Sequence, residues 1–337
     1  MSSGAAETTL SVGEREILMR SGETVLEALE RAGLDAASGC RSGVCAKCLV
    51  RSDDPPAGSQ RGLRSTLRAQ GYFYACQARP TSNLVLDSGL APAQVSARVL
   101  SVHKVAEDVA QVFLSPGGPL SFRPGQYLDV IHPSGAHRSY SIASLPSDGH
   151  LELHVRLVKG GLLSPWLHGL APGEQVSIRG AFGQCFYAGS HELEVGEPSP
   201  ASLLLVGAGT GLAPLLGIAR DALSQGHAGP IDLVHGGLDP SRLYLREELK
   251  ELERSAEQLR VHHCVLREAT SHEHEGPLDQ IALKVAGSLA DTRAYLCGDE
   301  GIVRLLQRAL FLAGVPSGEI LADPFSPAPT YASQQTH

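Results

Sequence analysis

The chain has 337 residues, 42% of them hydrophobic and 19% charged, and a formal net charge of −8. Such a length holds two or three domains, and the composition is that of an ordinary globular protein. The acidic balance argues against a general nucleic-acid binder, and no run of about 18 apolar residues is available to cross a bilayer.

In chain order, residues 10–19 alternate apolar and polar positions, as a half-buried strand does. Thr24 then opens an amphipathic helix with Val25, Leu26 and Leu29 inward, and Gly33 ends it. A cysteine-bearing loop follows. Next come a polar, arginine-bearing loop over 51–68 and short strands at 72–76 and 84–86. Residues 87–94, with Gly89 and Pro92, read as a linker. From 95 to about 187 the pattern is short strands, among them 109–114, 127–131, 151–158 and 175–179. Turn signals such as Pro124-Gly125 and Pro172-Gly173 divide them, which predicts an antiparallel barrel. After Pro200 strands alternate with helices. Strands are expected at 203–206, 231–235 and 294–297. One helix carries Leu212, Leu215, Leu216, Ala219, Ala222 and Leu223 on a single face. That rhythm predicts a doubly wound parallel sheet. The expected domains are 1–90, 91–198 and 199–337.

Three of the seven cysteines crowd into residues 40–48, which fits a reducing compartment and a metal site better than a disulfide framework. Residues 1–10 lack a signal-peptide pattern, so the expected location is the cytoplasm. Cys40, Cys45 and Cys48 stand at C-x4-C-x2-C with Cys76 farther on, the plant-type ligand spacing for a [2Fe–2S] cluster. Two irons and two sulfides need four thiolates, three of them here from one tight loop. Gly39, Ser42, Gly43 and Ala46 are small enough to turn backbone N–H groups toward the sulfurs, where they stabilise the charge added on reduction. Cys45-x-x-Cys48 alone also fits a zinc half-site or a redox dithiol. Zinc, however, would want a second close ligand pair, and Cys76 stands alone. Cys185 and Cys264 read as packed thiols.

The run Gly39-Cys40-Arg41-Ser42-Gly43-Val44-Cys45-Ala46-Lys47-Cys48, with Tyr74-Ala75-Cys76-Gln77-Ala78-Arg79-Pro80, resembles the ferredoxin domain of bacterial oxygenase reductases. The rest of the chain is similar to the ferredoxin–NADP reductase superfamily. The domain order resembles that of the reductase components of ring-hydroxylating dioxygenases and of soluble methane monooxygenase. It departs at Ala46, where Gly is usual, and at Ala181, where Pro is common. The resemblance implies an α+β and α/β multidomain protein. Its parts would be a β-grasp ferredoxin domain, an antiparallel β-barrel flavin domain and a doubly wound nicotinamide domain.

Arg138-Ser139-Tyr140-Ser141 matches the R-x-Y-S flavin motif. By that resemblance Arg138 pairs with the flavin pyrophosphate, Tyr140 lies against the ring, and Ser141 bonds near N5. His154 and Arg156, on the polar face of the strand 151–158, join them as candidate cofactor contacts. Gly161 and Ser164, in a Gly-rich turn entering a helix, are candidates for the flavin phosphate. Gly207, Gly209, Thr210 and Gly211 lie between strand and helix, where the family's glycine turn meets the dinucleotide pyrophosphate. Cys297, Gly298 and Asp299 end a strand as the family's C-G motif does, with Cys297 facing the nicotinamide. Phe325 would cover the flavin until nicotinamide displaces it, and Asp323 would stabilise charge or relay a proton. Ser141, Cys297, Asp323 and Phe325 are thus the expected catalytic set.

The implied activity is electron transfer from NADH, with NADPH possible, through FAD and the cluster to an oxygenase or other protein acceptor. The electrons would leave through the loop 41–47. The protein is expected to be a monomer with neither nucleic acid nor membrane among its partners. Seven basic residues between 40 and 79 suggest an acidic acceptor surface or, equally, a solvated loop that offsets the cluster's own negative charge. Two rivals stand beside this reading. One is an iron–sulfur flavoenzyme that itself reduces a deoxysugar-nucleotide intermediate. The other is a sensor that has lost turnover. The polar run 271–275, with His272 and His274, reads as a solvated loop rather than a metal cluster.

Overall fold

The computed structural model describes residues 8–64, 67–68, 70–87, 94–189 and 202–325. The expected domain boundaries near 90 and 198, and nearly all of the expected linker 87–94, lie outside the described residues.

In the N-terminal unit, β1 (Thr9–Val12) pairs antiparallel with β2 (Arg15–Leu18) and parallel with β5 (Leu84–Leu86). The single strand expected over 10–19 is therefore a hairpin, turned at Gly13 with φ +58°. Helix α1 (Val25–Arg31) starts with a capping box. The Glu27 N–H donates to Thr24 Oγ1 (3.2 Å), and the Thr24 N–H donates to Glu27 Oε2 (2.8 Å). It ends at Gly33, φ +68°, where the Leu34 N–H reaches back to the Leu29 carbonyl. Val25, Leu26, Ala28 and Leu29 of this helix pack on Leu10, Phe73 and Tyr74. β3 (Leu49–Arg51) and β4 (Tyr72–Tyr74) form a second small ladder. β4 is shorter than expected because the chain turns after Tyr74, whose carbonyl accepts from the Gln77 N–H, and this brings Cys76 back toward the cysteine loop.

Six antiparallel strands form the middle unit: β6 (Gln94–Lys104), β7 (Val109–Pro116), β8 (Tyr127–Ile131), β9 (His137–Ser141), β10 (Leu151–Arg156) and β11 (Gln175–Phe182). Their order is β10-β7-β6-β11-β8-β9, and an Ile142–Leu153 bridge closes the barrel. Inward residues such as Val112, Leu114, Leu128, Val130, Leu153 and Ile178 fill it. In β10 the alternation has an unexpected result. Glu152 and His154, on the face opposite the barrel core, are buried too, because the nicotinamide unit covers them. Helix α2 (Leu163–His168) follows.

The C-terminal unit runs β12 (Ser202–Ala208), α3 (Leu212–Ser224), β13 (Ile231–Gly237), α4 (Arg246–Ser255), β14 (Leu259–Val265), β15 (His274–Glu275), α5 (Leu278–Val285), β16 (Thr292–Asp299), α6 (Glu300–Leu312) and β17 (Ile320–Phe325). The sheet is parallel, in the order β15-β14-β13-β12-β16-β17. Strand residues alternate between two cores. Leu203, Leu205, Leu233 and Tyr295 pack with α3 on one face, and Leu204, Val206, Val234 and Leu296 pack with α6 on the other. The strand order reverses between β12 and β16, so a ligand crevice is expected at their C-terminal ends. Two local readings change. The run 271–275 contributes the edge strand β15 rather than a loop alone, and the tail at 321–325 is a sheet strand.

Candidate functional site

The four cysteine thiols come together as two pairs. The Cys40 and Cys45 thiols hydrogen-bond to each other, as do those of Cys48 and Cys76. Backbone donors surround the first pair: the Cys45 N–H lies 3.3 Å and the Ser42 N–H 3.5 Å from Cys40 Sγ, and the Cys40 N–H lies 3.5 Å from Cys45 Sγ. Gln77 Nε2 lies 3.5 Å from Cys76 Sγ, and the Gly43 backbone donates there as well. The hydrogen bond from Cys45 draws the Cys40 thiol well down, and the bond from Cys48 lowers Cys76. Cys45 and Cys48, the donors, are pushed up. No group of three or more His, Cys, Asp or Glu side chains among the described residues converges on a single ion. Two thiol pairs ringed by N–H donors suit two bridged irons, each with two terminal thiolates, so the residues fit the cluster and not a zinc ion.

Ala46 holds φ +55°. An L side chain there costs about 1–2 kcal/mol. Glycine would lose a buried methyl worth about 0.8 kcal/mol and gain unfolded-chain entropy of about 0.5–1 kcal/mol. The terms nearly cancel, so alanine is tolerated at this left-handed position.

At the junction of barrel and nicotinamide unit, Ser141 Oγ donates to Asp323 Oδ2 at 3.2 Å. Cys297 is the in-register neighbour of Asp323 on the adjoining strand. The Ser141, Cys297 and Asp323 expected from sequence are therefore assembled from β9, β16 and β17. Burial raises the Asp323 carboxyl to about 7 against the bond from Ser141, and burial also pushes up the Cys297 thiol. Cys185, read from sequence as a packed thiol, lies 4.0 Å from Cys297, sulfur to sulfur. Phe325 is half-buried at the end of β17, opposite Asp299. Asp299 Oδ1 accepts from the Gly301 N–H (2.9 Å) and so caps α6.

Arg138 is exposed, with Nη1 on the His137 carbonyl (2.6 Å), and Tyr140 is half-buried beside the barrel core. Arg156 is exposed at the end of β10. Ser164 Oγ accepts from the Val158 N–H (2.9 Å) and ties the turn that contains Gly161. His154, expected among the cofactor contacts, is buried where the barrel meets the nicotinamide unit. Its Nδ1 meets the Tyr244 hydroxyl and its Nε2 meets Glu152 Oε1, each at 2.9 Å. Glu152 also accepts from Arg220 Nη1 (2.9 Å). Burial opposes ionisation of Glu152, but His154 and Arg220 outweigh it and hold the carboxyl at about 2. The group ties the barrel to the nicotinamide unit. Glu273, in the histidine-rich run, is likewise engaged by Thr270 and Arg246.

The glycine turn lies at the crevice. A Cβ on Gly207 would meet Leu215 Cδ1 at 2.7 Å and one on Gly211 would meet the Cys297 carbonyl at 2.4 Å, so both are held by packing. Gly209 has φ +54° and open space around it, with Thr210 beside it at the start of the turn into α3. Gly298 has φ +136° beside Ala208.

Sequence reasoning missed the seat of the cysteine loop. Tyr127 donates to the Cys45 carbonyl (2.7 Å), and Lys47 Nζ bonds Asp129 Oδ1 (2.6 Å) in a buried pair. The available signal was Asp129, a lone acid in the apolar strand Tyr127–Ile131. Lys47 is thus turned inward, and only the front of the expected exit loop, including the exposed Arg41 and Val44, faces solvent.

Three family descriptions match: "2Fe-2S iron-sulfur cluster binding domain" over 9–81, "Oxidoreductase FAD-binding domain" over 96–187 and "Oxidoreductase NAD-binding domain" over 205–308. An aromatic O-demethylase reductase subunit of Amycolatopsis sp. is 37% identical over 70% of this chain and 73% of its own. The ferredoxin–NAD(P)(+) reductase component of a naphthalene 1,2-dioxygenase system from Pseudomonas putida is 31% identical over 95% of this chain and 99% of its own. The crystal structure of an Amycolatopsis cytochrome P450 reductase superposes with a TM-score of 0.70 at 30% identity, covering 95% of this chain and 99% of that one.

Proposed function

Because the chain belongs to the family of ferredoxin–NAD(P) reductase components of oxygenase systems, we propose that it hands electrons to a partner oxygenase, using the residues assembled at the two junctions described above. It is an NAD(P)H-dependent oxidoreductase that carries FAD and a [2Fe–2S] cluster. Together, when bound, these groups convert a two-electron hydride into single electrons.

The observation that carries the reading is a shared strand pair. Ser141 and Tyr127 are opposite each other on β9 and β8. Ser141 meets Asp323 of the nicotinamide unit, and Tyr127 meets the cysteine loop. One two-strand ribbon thus touches both the hydride end and the cluster end. In this reading the exposed Arg138 fork binds the flavin pyrophosphate, and Tyr140 offers a flat face to the ring. Ser141 Oγ and Asp323 Oδ2 hold and exchange one proton at the crevice. Cys297 closes its floor, the N–H groups of Gly209 and Thr210 bind the dinucleotide pyrophosphate, and Phe325 shields the site from water.

The test is anaerobic addition of NADH to the purified protein. The visible absorbance bleaches, and cytochrome c is then reduced with no other substrate present. Bleaching that leaves cytochrome c oxidised would defeat the shuttle reading. We place the protein in the cytoplasm as a monomer, with neither nucleic acid nor membrane as partner. Cysteines placed as iron ligands rather than as disulfides suit a reducing compartment, and among the described residues no helix is long and apolar enough to cross a membrane.

NADH is the expected donor. Asp239 follows β13 and is fixed by the Ser241 N–H (3.1 Å) and hydroxyl (2.5 Å), where it would repel a 2′-phosphate. Of the arginines that could reverse this, Arg242 pairs with Asp108 at 2.9 Å, whereas Arg267 is exposed and only 3.9 Å from the exposed Glu268. Asp239→Ser should raise kcat/KM for NADPH by about tenfold and leave that for NADH nearly unchanged. An unaltered NADPH/NADH ratio would remove Asp239 from the specificity site.

The basic surface around the cluster is smaller than the sequence suggests. Arg41 pairs with Glu30, Arg51 pairs with Asp53 and Asp87, and Lys47 and Arg64 face the barrel. Raising salt from about 0.05 to about 0.5 M should therefore slow coupled turnover by less than about threefold. A steep decline would show that the remaining arginines steer the acceptor.

A further inference from the structure

The cysteine loop is joined to the barrel through charges buried from solvent. Asp129 is fully buried on β8. Its Oδ1 accepts from Lys47 Nζ at 2.6 Å and from Ser139 Oγ at 2.8 Å, and Arg179 Nη2 lies 3.6 Å from Oδ2. Lys47 sits between the ligands Cys45 and Cys48, its side chain only 6% exposed and its ammonium 5.4 Å from the centre of the Phe182 ring. One register step along the same face of β8, the Tyr127 hydroxyl holds the Cys45 carbonyl at 2.7 Å. Ala37, Tyr127 and Phe182 form a small apolar cluster spanning the two units.

Such a joint is a poor way to gain stability. Desolvating each ion costs several kcal/mol, and apolar residues of similar volume commonly do as well. Its advantage is a defined register. An apolar patch tolerates sliding, whereas an ammonium with a single acid partner beside a tyrosine hydroxyl on a carbonyl fixes the loop in two places. Register matters here because electron tunnelling falls steeply with separation. We propose that Lys47, Asp129 and Tyr127 are positioning residues that seat the cluster loop on the flavin barrel and thereby set the rate of the internal electron step.

This proposal rests on the shuttle reading above, and its test separates the two. The full-length protein with both cofactors is compared with Lys47→Met, Lys47→Arg and Tyr127→Phe. Lys47→Met leaves Asp129 the Ser139 hydroxyl and the Arg179 charge 3.6 Å away, and Tyr127→Phe disturbs the seat while keeping every charge paired, so the two together separate seating from folding. Hydrogen–deuterium exchange of the oxidised protein needs no turnover. It should show amides in 40–48 exchanging about tenfold faster or more in Lys47→Met and in Tyr127→Phe. In stopped-flow experiments on Lys47→Met, flavin reduction by NADH should stay within about twofold of the parent while the flavin-to-cluster step slows about tenfold or more. Lys47→Arg, which keeps the charge, should recover most of both properties.

Unchanged exchange and an unchanged internal rate in Lys47→Met and Tyr127→Phe would overturn the proposal. So would a parallel loss of flavin reduction in Lys47→Met, since the pair would then merely support the barrel. If the parent itself passes no electron from flavin to cluster, the shuttle reading fails, and the exchange data alone decide whether the seat exists.

Discussion

Replacing Cys76 with serine should leave hydride uptake intact and stop delivery to protein acceptors. Cys76 lies beyond β4, apart from the loop that bears Cys40, Cys45 and Cys48, and it is the partner of Cys48. A serine hydroxyl keeps the shape but is a poor ligand for iron beside soft thiolates. The barrel and the parallel sheet have cores of their own, in which Cys76 takes no part. NADH-dependent reduction of ferricyanide, which takes electrons from the flavin directly, should therefore change by less than about twofold. Reduction of cytochrome c should fall by about 100-fold or more, beyond the effect of losing an outer-shell partner. Joint loss of both activities would mean that the cluster is needed for flavin binding. Loss of neither would mean that electrons leave from the flavin and that the first unit is not on their route.

Asp323→Asn should abolish the pH dependence of hydride transfer. The Asp323 carboxyl sits at about 7 because burial disfavours its charge. Taking a hydride from NADH leaves positive charge on the nicotinamide, which an ionised Asp323 would stabilise. The parent rate of flavin reduction should rise with pH through about 7. The asparagine keeps a hydrogen-bond partner for Ser141 but never ionises, so its profile should be flat, with a rate about 100-fold lower at pH 8. Stability should move the other way. The folded-state value lies above the ordinary 3.8. The native protein therefore holds a proton that the unfolded chain releases, and the associated stability is complete below about 3.8 and lost as pH rises through about 7. The melting temperature gained by Asp323→Asn should consequently be larger at pH 8 than at pH 5. A pH–rate profile unchanged by the substitution would remove Asp323 from the reaction.

Much of this organisation is legible in the sequence because the chemistry is local. The plant-type spacing gathers three thiols in one tight loop, so Cys40, Cys45 and Cys48 announce themselves as candidate ligands. A turn packed between strand and helix needs glycine at fixed offsets, as at Gly207 and Gly211. The assembly of Ser141 with Asp323 was legible only through family resemblance, since the two are 182 residues apart. The seat formed by Lys47 and Asp129 was only half legible, because an acid in an apolar strand signals a buried charge but nothing near it shows that the partner lies 82 positions away. The surroundings of His154 were hidden for a related reason. The period of β10 identifies a polar face, but it does not say whether water, a ligand or another domain covers that face.

The glycine turn also separates two kinds of constraint that sequence inspection merges. At Gly207 and Gly211 a methyl group would collide with Leu215 and with the Cys297 carbonyl, whether or not any dinucleotide is ever bound. At Gly209 nothing lies within 4 Å, and only the left-handed backbone matters, which asparagine adopts at modest cost. A randomised library screened merely for folded, soluble product should thus return glycine at 207 and 211 and admit asparagine at 209. The same library screened on a nicotinamide affinity resin should restore glycine at 209. A descendant that had abandoned redox chemistry would keep two of these three glycines, so their presence alone is weak testimony that a copy of this fold is still a working reductase.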